Sequence, residues 1–233
     1  MTQLDRKELV STTSPSTAIS VEGLSKTRGK ETLWADVTFT VEAGSALAVT
    51  GPSGAGKSTL LNCVGLLEKP DAGTIDLDGV STRRISRSTR RRLFRSTIGH
   101  LFQNYGLVES WTVDGNLDVA FVGRGLDRRL RRDRRRAALE RVGLTGLGTR
   151  RVYSLSGGEQ QRIALARLLL KNPTVVLADE PSAALDHDNA AVVLSVLAEL
   201  RHGGSAIVVA THDDVVTEWC DDRIELARGR TVW

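Results

Sequence analysis

One glycine-rich segment, residues 51–59 with the sequence GPSGAGKST, restricts the possible folds of this chain more than any other feature. It directly follows the apolar run 46–50 and directly precedes an apolar helical stretch, 60–64. Strand, loop and helix in this order are typical of a phosphate-binding loop. The glycines let successive N–H groups surround phosphates, Lys57 would place its charge on the β and γ oxygens, and the Ser58 hydroxyl would ligate Mg²⁺. We therefore predict a nucleotide site formed by Gly51, Pro52, Ser53, Gly54, Ala55, Gly56, Lys57, Ser58 and Thr59.

The distribution of apolar residues predicts an α/β fold. Short apolar runs bounded by turn residues read as strands, and they lie at 19–24, 37–41, 46–50, 74–77 and 98–102. Two later runs, 175–178 and 206–210, are apolar on both faces, and each follows a helical stretch. Such runs are typical of central parallel strands covered by helices.

Length and composition predict one domain. Of the 233 residues, we expect 1–17 to form a flexible leader and 18–233 to form the domain, with a helical subdomain at approximately 105–165 that is rich in Arg and Gly. No apolar run approaches the roughly 18 to 20 residues of a membrane-spanning helix. The two cysteines are far apart and lack metal-ligand spacing, which favours a reducing cytoplasm. A net charge of +4 is too small to establish a polyanionic partner.

Two carboxylates end the apolar run 175–178, and they suggest hydrolysis rather than nucleotide binding alone. In the same sheet as the phosphate-binding loop, Asp179 is placed to hold the Mg²⁺ shell. Glu180 can orient or deprotonate a water molecule that attacks the γ-phosphate. We therefore expect ATP, bound with Mg²⁺, to be hydrolysed.

A second glycine-rich segment, 155–162 with the sequence LSGGEQQR, predicts another anion site. Ser156 and Glu159 form a capping box for the helix that follows. Gly157 and Gly158 expose N–H groups at the positive end of the helix dipole. A capped helix without a ligand is the alternative, but two glycines in the first turn destabilise a helix and indicate a close approach to its backbone.

These segments together resemble the ATP-binding cassette (ABC) ATPases, over essentially all of 19–231. The similar segments, in the order of the family, are 51–59, 155–160, 179–180, 182–186 and 211–213. The resemblance implies a P-loop NTPase fold with a mixed sheet core, an antiparallel β subdomain and a helical insert. It also implies that Gln103 joins Mg²⁺ and the attacking water to a transmembrane partner and that His212 contacts the γ-phosphate. Lys57, Gln103, Glu180 and His212 would then be catalytic, and Ser58, Gln103 and Asp179 would hold the metal.

The same resemblance implies a homodimer in which two ATP molecules are sandwiched head to tail. Ser156, Gly157, Gly158 and Glu159 of one copy would face the phosphate-binding loop of the other, and Asp186 would cross the interface. One position departs from the family, because Arg28 stands where an aromatic ring usually stacks on adenine. A guanidinium can also stack on a base, but Arg28 as a solvated surface residue remains the alternative.

Arginine-rich stretches at 83–95 and 128–136 allow two interpretations. They could bind phosphates of nucleic acid or of lipid headgroups. Alternatively, they form a solvated helix surface supported by pairs at 127/131 and 136/140. Aromatic residues, which nucleic-acid modules use for stacking, make up only 4% of the chain. We favour the solvated surface and expect no nucleic-acid partner.

Among ABC proteins, a single cassette of this size resembles the separate ATPase subunit of a bacterial transporter. Segments 102–113 and 178–186 are similar to cassettes of macrolide-export, lipoprotein-release and lactococcin-type bacteriocin-export systems. The resemblance implies export of peptide, bacteriocin, drug or lipoprotein-type cargo, powered at the cytoplasmic face of the membrane through a separate permease. The alternative is a soluble ABC-type ATPase that acts on nucleic acid or on macromolecular assembly. Leu107, Val108 and Trp111, just after Gln103, would dock the permease or simply pack onto the helical insert.

Overall fold

The computed structural model describes residues 16–182, 187–227 and 230–232. Most of the predicted leader, and Asp186 with its predicted role at a dimer interface, therefore lie outside the described residues. Thr17, the last residue of the predicted leader, already begins the first strand.

The described residues form ten β-strands and seven α-helices. The strands are β1 Thr17–Arg28, β2 Glu31–Glu42, β3 Ala46–Thr50, β4 Ala72–Leu77, β5 Val80–Ser81, β6 Ile98–Leu101, β7 Val175–Asp179, β8 Ala206–Ala210, β9 Asp222–Ala227 and β10 Arg230–Val232. The helices are α1 Lys57–Val64, α2 Arg87–Arg92, α3 Val113–Asp118, α4 Arg128–Arg141, α5 Gly157–Lys171, α6 His187–His202 and α7 Asp214–Trp219. A π-helical turn, Leu93–Thr97, and two 3₁₀ turns, Val119–Phe121 and Val152–Ser154, complete the description. Every predicted strand is present, whereas β5, β9 and β10 were not predicted.

A six-stranded sheet forms the centre, in the order β10-β9-β3-β8-β7-β6. All its pairings from β9 to β6 are parallel, and β10 pairs antiparallel with β9. The first four residues of β3 and β7 and all five of β8 are buried, because each strand is covered on both faces. The parallel strands bring the loops after β3, β6, β7 and β8 to one edge of the sheet. The predicted mixed sheet is confirmed.

A second, antiparallel sheet has the order β2-β1-β4-β5 and packs against the α1 side of the central sheet. Its alternating apolar residues, such as Ile19, Val21, Trp34 and Phe39, join one core with Leu60 of α1. A separate core on the other face of the central sheet contains residues of α3, α4, α5 and α6. The predicted antiparallel subdomain and helical insert are both present.

The arginines of α4 are held differently from the prediction. Asp127 does not pair with Arg131 but caps α4, accepting a hydrogen bond from the Leu130 N–H at 2.8 Å. Arg136 pairs with Asp133 at 3.6 Å rather than with Glu140. Asp127 caps the helix instead of forming the predicted ion pair, because a free N–H in the first helical turn has no other partner. Among the described residues, no helix combines the length and the apolarity that crossing a membrane requires.

Candidate functional site

The phosphate-binding loop lies between β3 and α1, as predicted, and two of its positions admit only glycine. Gly51 has φ +133°, and a Cβ there would lie 2.3 Å from the Leu226 carbonyl oxygen. Gly56 has φ +89°, and a Cβ there would lie 2.8 Å from Nε1 of Trp34. L side chains rarely adopt such φ values. Glycine at these two positions therefore allows the backbone conformation of the loop and its close approach to Leu226 and Trp34.

Polar side chains of the loop meet the carboxylates at the end of β7. The Lys57 ammonium donates to the Gly51 carbonyl at 2.9 Å and lies 3.7 Å from Oε1 of Glu180. The Ser58 hydroxyl donates to Oδ1 of Asp179 at 2.9 Å. Burial raises the pKa of the Asp179 carboxyl, and the hydrogen bond from Ser58 opposes that shift. The loop and the strand end thus form one polar site of mixed charge.

Glu180 occupies a strained and well-supported position. Its φ is +47°, in the left-handed region that non-glycine residues seldom adopt. Its N–H donates to the Ala210 carbonyl at 2.8 Å, so the end of β8 holds the backbone in place. Its Oε2 lies 2.8 Å from Nδ1 of the exposed His212. The carboxylate is therefore oriented by an ammonium on one side and an imidazole on the other.

Gln103 follows β6 by two residues and is exposed. Because β6 pairs in parallel with β7, with Leu101 opposite Ala178, the segment that carries Gln103 leaves the sheet at the same edge as Asp179 and Glu180. Arg28 lies elsewhere, at the exposed end of β1 opposite Glu31 in the antiparallel sheet. Its predicted contact with adenine stays a prediction.

The capping box at the start of α5 is confirmed. The Ser156 hydroxyl accepts from the Glu159 N–H at 3.3 Å, and Glu159 Oε2 accepts from the Ser156 N–H at 2.8 Å. The hydrogen bonds that the Glu159 carboxylate accepts from the Ser156 N–H and from the Ser156 hydroxyl lower the pKa of this carboxyl. A Cβ on Gly157 would lie 3.3 Å from the Tyr105 hydroxyl, and one on Gly158 would lie 2.9 Å from Nδ2 of Asn189. The close approach that the glycines predicted thus involves groups of the same chain.

Three contacts of the site were missed by the sequence reasoning. The buried Trp34 of β2 donates from Nε1 to the Gly56 carbonyl at 3.3 Å and so ties the antiparallel sheet to the phosphate-binding loop. Ser182, just after the strand-end carboxylates, donates to Oδ2 of Asp213 at 2.9 Å. Gln161 of α5 donates to the Pro181 carbonyl. No local pattern marks these contacts, because the partners are 20 to 31 residues apart.

The residues of this site fit ATP and Mg²⁺. Mg²⁺ prefers hard oxygen ligands and usually binds through one or two protein groups together with phosphate oxygens. The Ser58 hydroxyl and the Asp179 carboxylate are already within 2.9 Å of each other and supply two such oxygens. Glycine N–H groups at the start of α1, a helix without a capping side chain, suit phosphate.

The fold and this site define a nucleotide-binding protein of the P-loop class: a parallel sheet in which β3 runs into a glycine-rich loop and the neighbouring β7 ends in two carboxylates. Comparison with known proteins narrows the class. Residues 34–183 match the family described as ABC transporter. The chain belongs to this family, and its predicted identity as an ABC ATPase cassette is confirmed.

Curated relatives include export proteins of several bacteria. The chain is 40% identical over 197 residues to a macrolide export ATP-binding/permease protein MacB of Paracoccus denitrificans, covering 84% of this chain and 30% of the relative. It is 37% identical to MacB of Escherichia coli, covering 92% and 34%. It is 36% identical to a probable syringafactin export ATP-binding/permease protein of Pseudomonas syringae, covering 84% and 30%. The chain thus spans about a third of the length of the curated relatives it matches.

Solved structures agree with the fold. A dimeric post-hydrolysis state of the ATP-binding cassette MJ0796, bound to ADP and Pi, superposes with a TM-score of 0.85 at 30% identity, covering 92% of this chain and 97% of that one. CbiO1 of Clostridium perfringens, part of the cbiONQ transporter complex, superposes with a TM-score of 0.80 at 29% identity, covering 94% and 88%. The predicted ABC cassette fold is confirmed.

Proposed function

We propose that this chain is the ATP-hydrolysing subunit of a bacterial exporter and that it powers a separate membrane permease from the cytoplasmic face. The observation that carries the proposal is the convergence of Lys57, Ser58, Asp179, Glu180 and His212 at one edge of the central sheet, each within hydrogen-bonding or ion-pair distance of at least one of the others. The export relatives favour transport over action on nucleic acid or on macromolecular assembly.

In the proposed reaction, each residue has one role. Lys57 binds the β and γ oxygens of ATP, and Ser58, Asp179 and Gln103 would hold Mg²⁺. Mg²⁺, when bound, neutralises phosphate charge. Glu180 accepts the proton of the attacking water, and the imidazole of His212, 2.8 Å away, keeps the carboxylate oriented. Water then displaces ADP from the γ-phosphorus.

A dimer is the second part of the proposal. Ser156 and Gly157 are exposed at the start of α5, where a ligand from outside the chain can reach them. A second copy would present its phosphate-bound nucleotide to this helix start. The MJ0796 cassette, whose structure is dimeric, is a precedent for such pairing.

The membrane partner is the third part. Val108 and Trp111, which follow Gln103, are exposed, whereas Leu107 packs against the core of the helical insert. Val108 is held by Asn116, whose side chain bonds to both its N–H and its carbonyl. The docking interpretation therefore rests on Val108 and Trp111, because Leu107 is already packed within the chain.

Substitutions of Lys57 and Glu180, two of the residues that converge at this edge of the central sheet, test the proposal. Glu180→Gln should retain ATP binding but reduce the turnover number roughly 100-fold or more, because the amide accepts a proton poorly. Lys57→Ala should instead weaken ATP binding. Phosphate release and the ATP dissociation constant, measured on the same preparations, separate these effects. Glu218→Gln, an exposed glutamate of α7, is the matched control. If Glu180→Gln and Glu218→Gln both hydrolyse ATP at the wild-type rate, the assignment of the base is wrong.

A further inference from the structure

A cleft with a volume of about 530 Å³ lies between the N-terminal half of α4 and the start of α3. Every side chain that lines this arginine cleft is charged: Asp114, Arg128, Arg129, Arg132 and Arg135. A neighbouring recess of about 480 Å³ shares Arg128 and Arg135 with the cleft and adds Asp118, Leu126 and Arg131. None of these lining residues is among those proposed to bind ATP or Mg²⁺.

Four arginines of α4 lie on the face of the helix that turns toward the core. Positions 128, 131, 132, 135, 138 and 139 are three or four residues apart and therefore share one face. The C-terminal part of this face is apolar and buried, since Ala138 and Leu139 are both 4% exposed. The N-terminal part of the same face carries Arg128, Arg131, Arg132 and Arg135 instead. The interpretation as a solvated helix surface therefore suits the exposed Arg134 and Arg136, which line neither cavity.

One arginine takes up both carboxylates of the two cavities. The Arg135 side chain is 14% exposed, and its Nε lies 3.0 Å from Oδ1 of Asp114 while its Nη1 lies 2.5 Å from Oδ1 of Asp118. These two ion pairs fix Arg135 as a wall of the cleft.

The other arginines have an excess of positive charge around them. Among the described residues, Arg128, Arg129 and Arg131 form no ion pair, and Arg132 reaches only Asp133, at 3.9 Å. The carboxylate of Asp127 is engaged in capping α4. The cleft itself has four guanidinium groups and one carboxylate, hence an excess of three positive charges. Because like charges that share a cleft repel one another, a bound anion would stabilise this arrangement.

The lining also limits the chemistry of that anion. No aromatic or apolar side chain lines the cleft, so nothing there would stack on a base or cover an apolar group. Guanidinium groups present a planar fork of donors that matches phosphate oxygens. A tetrahedral phosphate presents oxygens in several directions, so several guanidinium groups can meet one phosphate group. The lining therefore favours a compact, hydrophilic anion with several charges.

We propose that the arginine cleft binds a compact anion with two or more linked phosphate groups, held by Arg128, Arg129 and Arg132 beside the fixed Arg135. Phosphate groups occur both on free oligophosphates and on lipid headgroups. The free form fits this site, because the arginines line a recess between α3 and α4 that a flat bilayer surface would not enter. This inference goes beyond the proposed function and does not depend on it.

Inorganic triphosphate is the probe, in isothermal titration calorimetry at about 0.15 M salt, where exposed charges more than about 8 Å apart are largely screened. The full chain carries Lys57→Ala, so that the phosphate-binding loop contributes little. We expect triphosphate to bind at least about tenfold more tightly than orthophosphate, because a single phosphate group meets fewer guanidinium groups. Citrate, which carries three carboxylates, should also bind at least about tenfold more weakly than triphosphate.

Variants of α4 in the same background locate the site. Arg128→Gln/Arg132→Gln should weaken triphosphate binding at least about tenfold, because two charge-assisted contacts are lost. Arg129→Gln, at an exposed arginine without an ion pair among the described residues, should weaken it about threefold or more and serves if the double variant fails to fold. The matched control, Arg134→Gln/Arg136→Gln, removes the same charge from the same helix and should change the affinity less than about twofold.

Five outcomes would overturn the inference. If triphosphate binds the wild type but not Lys57→Ala, its site is the phosphate-binding loop. An unchanged affinity in the Arg128/Arg132 and Arg129 variants, or an equal loss in the Arg134/Arg136 control, would remove the cleft as the site. Equal binding of citrate and triphosphate would remove the requirement for phosphate. If only phosphatidylglycerol vesicles bind through Arg128 and Arg132, the occupant is a lipid surface. If a single-stranded oligonucleotide binds there more tightly than triphosphate, the occupant is nucleic acid.

Discussion

Helices α1 and α5 both begin in glycine-rich segments, but the two segments satisfy their first-turn N–H groups in different ways. At α1, Gly51, Gly54 and Gly56 all have positive φ, and no side chain caps the helix. At α5, by contrast, the first turn is capped by Ser156 and Glu159, and a carboxylate already occupies the positive end of the dipole. The first segment is thus shaped to receive phosphate on its own.

This difference suggests that the two segments bind anions under different conditions. The loop at α1 adds the cation Lys57 to its glycine N–H groups, so we propose that an isolated chain binds the phosphates of ATP through this loop. The start of α5 is already hydrogen-bonded within the chain and carries the acidic Glu159. Its anion binding would therefore depend on a ligand that another copy holds in place. Two predictions test this contrast and a third concerns the other end of α5, and the largest expected effect comes first.

The two glycine-rich segments should respond unequally to alanine. In Gly51→Ala, the new Cβ would lie 2.3 Å from the Leu226 carbonyl at φ +133°, so we expect a loss of about 2 to 4 kcal/mol in the free energy of unfolding. Gly157→Ala meets only the Tyr105 hydroxyl at 3.3 Å and gains helix propensity, so its change should stay below about 1 kcal/mol. Urea unfolding followed by circular dichroism measures both. If the two substitutions lower the free energy of unfolding equally, the inferred contrast between the two segments is wrong.

Ser156→Arg tests whether the start of α5 serves a second copy. In the Glu180→Gln background with ATP and Mg²⁺, size-exclusion chromatography should show a dimer that Ser156→Arg abolishes, because a bulky cation fills the helix start. The matched control is Ser86→Arg, which removes the equivalent cap of α2. Each substitution costs about 1 kcal/mol of helix stability, so a general loss of stability would affect both. A dimer that persists in Ser156→Arg, or disappears in both variants, would contradict the sandwich.

The far end of α5 provides the smallest effect, through pH. Lys171 has a pKa lowered from 10.5 to about 8, so between pH 8 and 10.5 the unfolded chain binds more protons at this group than the folded chain. Stability from this group therefore rises with pH across that window. Allowing for the partial exposure of the ammonium, we expect a rise of about 1 kcal/mol between pH 7.5 and 9.5 that Lys171→Met lacks. Lys69→Met, at an exposed lysine, should retain it. If the stability of wild type and of Lys171→Met changes with pH in the same way, the prediction is wrong.

Much of the fold could be predicted because its signals are local. Strands β3, β7 and β8 are apolar on both faces, and the run 37–41 of β2 alternates between buried and exposed residues. Strand β9 was missed because its two buried residues, Ile224 and Leu226, are separated and flanked by charges. The arginines of α4 were partly misinterpreted, because helical spacing suggested ion pairs but did not show that Asp127 is needed as the cap.

The sequence by itself determined the elements whose bonds join residues a few positions apart. The phosphate-binding loop, the Ser156–Glu159 capping box and the strand-end position of Asp179 and Glu180 are of this kind. Only the tertiary structure decided that Nδ1 of His212 lies 2.8 Å from Glu180 and that Trp34 supports Gly56. Those contacts depend on the order of strands in the two sheets and on packing across them, because their partners are brought together by distant parts of the chain.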